Sequence, residues 1–320
     1  MSDPLAASRS GRLKTIRILA LLLTALSFLI VLISAYIRLS GAGLGCTGWP
    51  DCYGQLLAGG PHPHAGAVRL AHRIAASVSL LLAFFALWHC TRPAPLQPVA
   101  RHATSLLALM ILLTFVGLWS ADAHRVWASF FNMLGGLGLL ALSWRMVLAA
   151  EPGPAGPAPS RAGFLLRGGL VALAAAIALG ALIGARHAAI SCTSTPACAG
   201  VWWPAAEGLA ALNPFASVAA AALPGDAGGV ALHLLHRYCA AVAMLLLGIA
   251  GLRAQKGDAT RIAGRWLIAL LLAEFALGSL TVVSGFSLWL AIGHSVCAGG
   301  LLAAGIQLLT RVTGSGRAAA

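Results

Sequence analysis

The chain has 320 residues, 59% of them hydrophobic and only 9% charged, with a mean hydropathy of +0.88. A water-soluble fold carries roughly a quarter charged residues, so the composition excludes one and points to a polytopic membrane protein. The formal charge of +13 comes from 21 basic and 8 acidic residues; in such a protein this excess marks cytoplasmic arginine, and nucleic-acid binding is not expected.

Residues 1–16 are polar and basic, with Arg9, Arg12 and Lys14, and are expected to form a cytoplasmic tail. No small-residue cleavage site closely follows the first apolar run, which therefore reads as a retained helix and not a signal peptide. Eight apolar runs follow, at 17–38, 67–89, 103–121, 126–149, 163–186, 230–252, 262–284 and 287–311. Each is close to the roughly 20 residues that cross the hydrocarbon as a helix. Arg92 and Arg101, then Arg145, Arg161 and Arg167, then Arg253, Lys256, Arg261 and Arg265, and finally Arg311 and Arg317 flank alternate connections. The positive-inside bias then puts both termini in the cytoplasm. Ala, Gly, Arg and Pro abound while lysine is nearly absent, as in GC-rich bacterial genomes, so the expected location is a bacterial inner membrane.

The segment EPGPAGPAPS, Glu151 to Ser160, cannot be helical, because its prolines remove donors and clash with the preceding turn. It lies in a linker at 150–162 that divides the chain into a four-helix bundle at 17–149 and a second at 163–311, with a tail at 312–320. Each half has a helix, a long outer loop with two cysteines, then a helix opening with His-Arg: His72-Arg73 and His236-Arg237. Four crossings return the chain to its starting side, so the repeat is parallel. The fold class expected is an all-α membrane protein of eight helices in two pseudo-symmetric four-helix bundles.

Cys46 and Cys52 lie in the first long outer loop, Cys192 and Cys198 in the second. The outer face of a bacterium is oxidising, so each pair is expected as a disulfide. Two roles stay open: a structural staple, or a redox-active pair above a cofactor pocket. A metal site fits less well, because no further ligand has suitable spacing. Cys90, Cys239 and Cys297 lie in or beside helices as small core residues. His62, His64, His89, His102, His124, His187 and His233 fall in a loop or near helix ends, where solvation is expected. Glu274 is an intramembrane acid; such a residue serves function or bonds a neighbouring helix.

A histidine inside an apolar helix is costly unless something satisfies it. His236 and His294 both lie about 10 Å below the outer surface at the helical rise. Two imidazoles at one depth on neighbouring helices supply the axial ligands of a six-coordinate haem iron. Gly293, Ala298, Gly299 and Gly300 leave space for a flat macrocycle, and Arg237 is placed to pair with a propionate. In the first half His72 has the matching position, but the place of His294 is taken by Asn132. Asparagine is a poor iron ligand, so this half is expected to hold haem through one histidine, with an open coordination position suited to a substrate.

The stretch AYIRLSGAGLGCTGWPDCYG, Ala35 to Gly54, together with His72-Arg73, NMLGG at 132–136, LGSLTV at 277–282, His236-Arg237 and His294, resembles the haem A synthase family. The resemblance runs from about Arg17 to Arg311. It implies a bis-histidine haem b in the second half, here at His236 and His294. It also implies substrate haem o in the first half, whose C8 methyl is oxidised to the formyl group of haem a. His72 would then be an iron ligand and catalytic residue, with Arg69, Arg73 or Arg38 near the propionates. Asn132 would line the same pocket, and Cys46 and Cys52 would shape its mouth or relay electrons. Two departures stand out. The family's glutamate three residues before the first His-Arg is here Arg69, and its second first-half histidine is Asn132; no Glu lies between residues 4 and 150. These departures support an alternative: an altered relative that carries electrons on haem b or holds haem while a terminal oxidase is assembled. The partners expected are membrane lipid, an electron-transfer protein of unknown identity, haem o synthase, a terminal oxidase under assembly and, in a homo-oligomer, a second copy of this chain.

Overall fold

The computed structural model describes residues 4–46, 48–58, 66–120, 122–151 and 161–314, with only the backbone of 4–8 and 161–162. His62, His64 and the proline-rich segment 152–160 lie outside the described residues. The protein is all-helical. Eight helices are long and apolar enough to cross a membrane: α1 (Pro4–Gly41), α2 (Ala67–Thr91), α3 (Val99–Gly117), α4 (Val126–Ala149), α5 (Arg161–Ala185), α6 (Ala227–Ala254), α7 (Arg261–Val283) and α8 (Leu288–Thr313). No proline interrupts any of them beyond Pro4 at the start of α1. The Asp226 carboxylate caps α6 by accepting from Gly229 N–H at 2.7 Å, which starts that helix three residues before the apolar run. α8 ends where Gly314 turns left-handed, at φ 62°.

The sequence places the end of the N-terminal tail at residue 16, whereas α1 is helical from Pro4. Alanine, leucine, arginine and lysine in this stretch favour helix whether or not lipid surrounds it. Arg12 then ties the segment down by donating to the carbonyls of His89 and Ala94, at 2.8 and 3.0 Å.

Within residues 4–149, α1 packs on α2 and α4, and α3 packs on α2 and α4; within 161–313, α5 packs on α6 and α8, and α7 packs on α6 and α8. The two rings have the same order. They meet where α8 packs against α1 and α4, and where α4 packs against α5. The outer ends of the rings are those bearing the two long loops.

The largest buried cluster of each ring lies toward its inner end, and smaller ones at the outer ends join Phe130 of α4, Leu182 of α5 and Leu232 of α6, and Leu234 of α6 to the second long loop. The buried cluster of the first ring takes in α2 from Leu80 onward and α4 from Leu139 onward. That of the second takes in α6 from Ala243 and α8 from Leu301. His72, Asn132, His236 and His294 all lie on the outer side of these clusters. Two spans that converge on packed inner ends are free to hold something other than each other further out.

The outer loops bind the rings together. The loop after α1 buries Ala42 and Leu44 with Phe286, against Leu288, Ala291 and Val282 at the α7–α8 turn. Gly45, at φ 78°, sits against Leu288, where a Cβ would lie 3.2 Å from that side chain. The loop after α5 crosses the other way. Val218 N–H donates to His124 O, a His124 Nδ1 contact to Val218 O spans 2.7 Å, and the Phe215 ring lies 6.0 Å from that of Phe131. Tyr53 joins the two loops by accepting from Ala189 N–H at 3.0 Å. The first long loop thus leans on the second ring, while part of the second long loop leans on the first.

His187 and His233, expected to be solvated, are instead buried. His233 Nε2 lies 3.0 Å from Ala188 O. His187, at φ 51°, has its Nδ1 buried without a hydrogen-bond partner. The second long loop folds back over these helix ends, which position along the chain did not reveal.

Two measurements test this packing. At the α6–α7 crossing, a Cβ on Gly264 would meet Gly251 O at 2.7 Å, whereas one on Gly248 meets nothing within 4 Å. Gly264→Val should cost about 1–3 kcal/mol, read as a lower thermal-unfolding midpoint in detergent, with Gly248→Ala unchanged or higher. Burial pushes the His187 imidazole down to about 4, helped by the nearby charges of His124 and Arg38. An ordinary histidine titrates near 6.5, so the unfolded loop binds more protons than the folded one between these values. Its stability is therefore full above about pH 6.5 and falls as pH drops toward about 4. Protection factors across 187–226, the observed exchange rate referred to the intrinsic rate at the same pH, should fall from pH 7 to pH 5, and His187→Asn, which tolerates positive φ, should blunt that fall.

Candidate functional site

His236 on α6 and His294 on α8 face one another. Their ring centroids are 6.2 Å apart and their planes cross at 82°. A metal–imidazole bond is about 2 Å, and a ring centre lies roughly 1 Å beyond its nitrogen. One metal ion between two imidazoles therefore sets their centres about 6 Å apart, as found. Among the described residues, no cluster of three or more His, Cys, Asp or Glu side chains is placed to hold a metal. The pair thus offers two ligands and no more, which suits an iron whose four equatorial positions a porphyrin fills.

Each ring is oriented by the helix beside it. Nδ1 of His236 lies 2.7 Å from the carbonyl of Ala176 on α5. Giving the Nδ1 proton to that carbonyl leaves the lone pair on Nε2, the tautomer a metal ligand needs. Nδ1 of His294 lies 3.1 Å from Oε1 of Glu274 on α7. Two glycines admit the rings. A Cβ on Gly180 would lie 3.4 Å from Cε1 of His236, and one on Gly278 would lie 3.0 Å from Cε1 of His294.

The glycines expected to make room for the macrocycle do other work. Gly299 receives Leu140, Leu137 and Phe28, so it brings α8 against α4 and α1; Gly293 lies against Leu277, and Gly300 against Leu270. The sequence points to glycines beside His294 along its own helix, but a ring reaches across to the next helix, where Gly180 and Gly278 lie.

Arg237 holds the loop above this pair. Its NH1 donates to Pro196 O at 2.8 Å and Ala197 O at 3.3 Å, and its NH2 to Ser194 O at 2.8 Å. Tyr238 OH donates to Trp202 O. Cys192 and Cys198 lie side by side, with Cα atoms 5.1 Å apart, and are buried against Leu234 of α6. Cys46 and Cys52 are paired likewise, with Cα atoms 6.6 Å apart, in the loop that leans on the start of α8. Both cysteine loops thus rest on the ring that carries the histidine pair. An arginine has five N–H donors, so these bonds leave Arg237 capacity toward an anion.

The first ring is built differently. His72 is partly buried on α2 and makes no side-chain hydrogen bond among the described residues. Asn132 is partly buried on α4, Arg69 is partly buried, and Arg73 is exposed. Arg38 lies between the halves, its Nε buried and unpartnered beside Gly184 and Met133. His72 and Asn132 share no hydrogen bond among the described residues. Sequence reasoning left the role of Glu274 open and missed Gly180 and Gly278. The shared one-turn spacings, Ala176 to Gly180 and Glu274 to Gly278, were a signal in plain view.

The family profile described as cytochrome oxidase assembly protein matches residues 17–64 and 127–306. A haem A synthase of Shewanella oneidensis is 27% identical over 316 residues, covering 90% of this chain and 92% of that protein. A haem A synthase of Shouchella clausii is 31% identical over 198 residues, covering 57% of this chain and 64% of its own length. One of Symbiobacterium thermophilum is 36% identical over 86 residues, 26% of this chain and 27% of its own. These relatives are bacterial, and a bacterial inner membrane fits the eight spans. On this match across both halves, the multi-pass membrane protein described above belongs to the haem A synthase family.

Proposed function

We propose that the protein is a haem A synthase: an integral membrane oxidoreductase that converts the C8 methyl of haem o to the formyl group of haem a. The observation that carries this reading is the opposed His236–His294 pair, 6.2 Å apart, in a ring of helices whose repeat in the first half presents His72 at the matching place. Haem b bound at the pair would supply one-electron transfer. His236 and His294 would be its axial ligands, and Arg237 would add a propionate contact to its hold on the loop above. His72 would ligate substrate haem o, with Asn132 on the facing helix and Arg69, Arg73 or Arg38 near the propionates. The Arg38 guanidinium suits this because its buried Nε lacks a partner. Two successive hydroxylations, each taking an oxygen from water and releasing two protons and two electrons, would give a geminal diol that loses water to the formyl group, and the electrons would pass singly through haem b to an electron-transfer partner. The Cys46–Cys52 and Cys192–Cys198 loops rest on the outer end of the second ring and would lie above haem b, where a redox role is open to them. The basic connections put both termini in the cytoplasm, so the histidines lie toward the outer leaflet. An electron-transfer protein, haem o synthase and an oxidase under assembly are the partners this role calls for, and self-association is compatible with it.

Arg69 and Asn132 favour a second reading, in which the first half has lost its chemistry and the protein carries electrons or holds haem during oxidase assembly. Co-expression with haem o synthase in a host lacking haem a separates the two. A haem a peak in the extracted haems is expected; haem o and haem b alone would establish the second reading instead. His236→Ala and His294→Ala should each abolish the low-spin haem b spectrum of the purified protein, and an unchanged spectrum would overturn the ligand assignment.

A further inference from the structure

The two histidines are supported by the same device, with one change. His236 reaches from α6 to α5, and His294 from α8 to α7. In each case a glycine lies against the ring, and the partner of Nδ1 sits four residues before that glycine. On α5 that partner is a main-chain carbonyl. On α7 the main-chain carbonyl of Glu274 faces the ring in the same way, and the carboxylate of that residue, within a membrane-spanning helix, is added to it, with Oε1 3.1 Å from Nδ1. A carboxylate at that depth is expensive and needs a counterpart. Among the described residues no arginine or lysine forms an ion pair with Glu274; its ion-pair contact is with His294, and the thiol of Cys297 lies beside it. Oε1 stands at hydrogen-bond distance from Nδ1 but off the N–H direction, so His294 Nδ1 and Glu274 Oε2 are both buried without a hydrogen-bond partner. A small rotation of the imidazole, of the kind that metal ligation imposes, would satisfy Nδ1.

We propose that Glu274 is a positioning residue for His294, resting on the assignment of haem b to the His236–His294 pair. The carboxylate accepts the Nδ1–H hydrogen bond, holds the tautomer with its lone pair on Nε2, and places negative charge beside one axial ligand only. A carboxylate partner raises the basicity of a ligating imidazole. A more basic ligand favours ferric over ferrous iron and so lowers the reduction potential. The two faces of the haem would then be unequal: His236, hydrogen-bonded to a carbonyl, is a neutral imidazole, while His294 has partial imidazolate character. The chain thereby sets how readily haem b gives up its electron, without a residue that touches the iron.

The test is an anaerobic potentiometric titration of haem b in the purified full-length protein and in Glu274→Gln, which keeps the shape and removes the charge. The low-spin bis-histidine spectrum and the haem-to-protein ratio should persist. The reduction equilibrium should shift at least tenfold toward the ferrous form, about 59 mV more positive for a one-electron couple. The near-infrared charge-transfer band of the ferric form should move to longer wavelength as imidazolate character is lost, which a purely structural role for Glu274 would not cause. Should Glu274→Gln fail to retain haem, Glu274→Asp serves in its place, with its midpoint expected above that of the unsubstituted protein. Haem b with unchanged midpoint and band in the variant would overturn the role of Glu274 and leave the haem site standing. Absence of low-spin haem b from the unsubstituted protein would overturn the site itself.

Discussion

Two imidazoles from different helices, His236 and His294, are brought to within 6.2 Å of one another, and much of the second half serves that approach. An unsupported histidine in a membrane interior is free to turn, and its two nitrogens compete for any available partner. Here Nδ1 of His236 lies 2.7 Å from Ala176 O, and Nδ1 of His294 lies 3.1 Å from Oε1 of Glu274, each on the adjacent helix. Each ring is also given a surface without a Cβ to lie on, at Gly180 and Gly278. The crossing of the planes at 82° follows from reaching two different helices at once. No single helix could impose it.

The same logic explains why the packed clusters stop where they do. Leucine and alanine interlock through the inner parts of both rings, where Leu247, Leu267, Leu301 and Leu308 are fully or almost fully buried. Protein interiors pack to near-crystalline density, and further out the packing passes to smaller clusters, one joining Leu232 to Phe130 and Leu182 and one joining Leu234 to Cys192 and Cys198. The loops close over these outer ends, through apolar contact at Phe286 and Leu288 and through the Arg237 bonds to three loop carbonyls. The Tyr53–Ala189 bond fastens one loop to the other.

The halves share a plan and differ in how far each carries it out. In the first, Asn132 stands where the second has His294, and His72 makes no side-chain hydrogen bond among the described residues. Arg69 is partly buried on α2, and Arg38 brings a buried, unpartnered Nε to the junction of the rings. A duplicated scaffold thus differs between its halves at a few polar positions.

Much of this was legible in the residues alone. Apolar runs of the right length, a proline-rich break and two His-Arg openings determined eight spans, two halves and the candidate ligands, because hydropathy and helix geometry are local properties. The start of α1 was misplaced because helix formation in its basic segment does not depend on hydropathy. Burial of His187 and His233 was missed because it depends on a loop that returns from far along the chain. The partners of the histidines were decided only in three dimensions. Ala176 lies 60 residues from His236, and no pattern along one helix says which neighbour its side chains will touch. Composition and spacing could name the imidazoles; only the packing of α5 against α6 and of α7 against α8 could say what orients them, because orientation is a property of the pair of helices and not of either one.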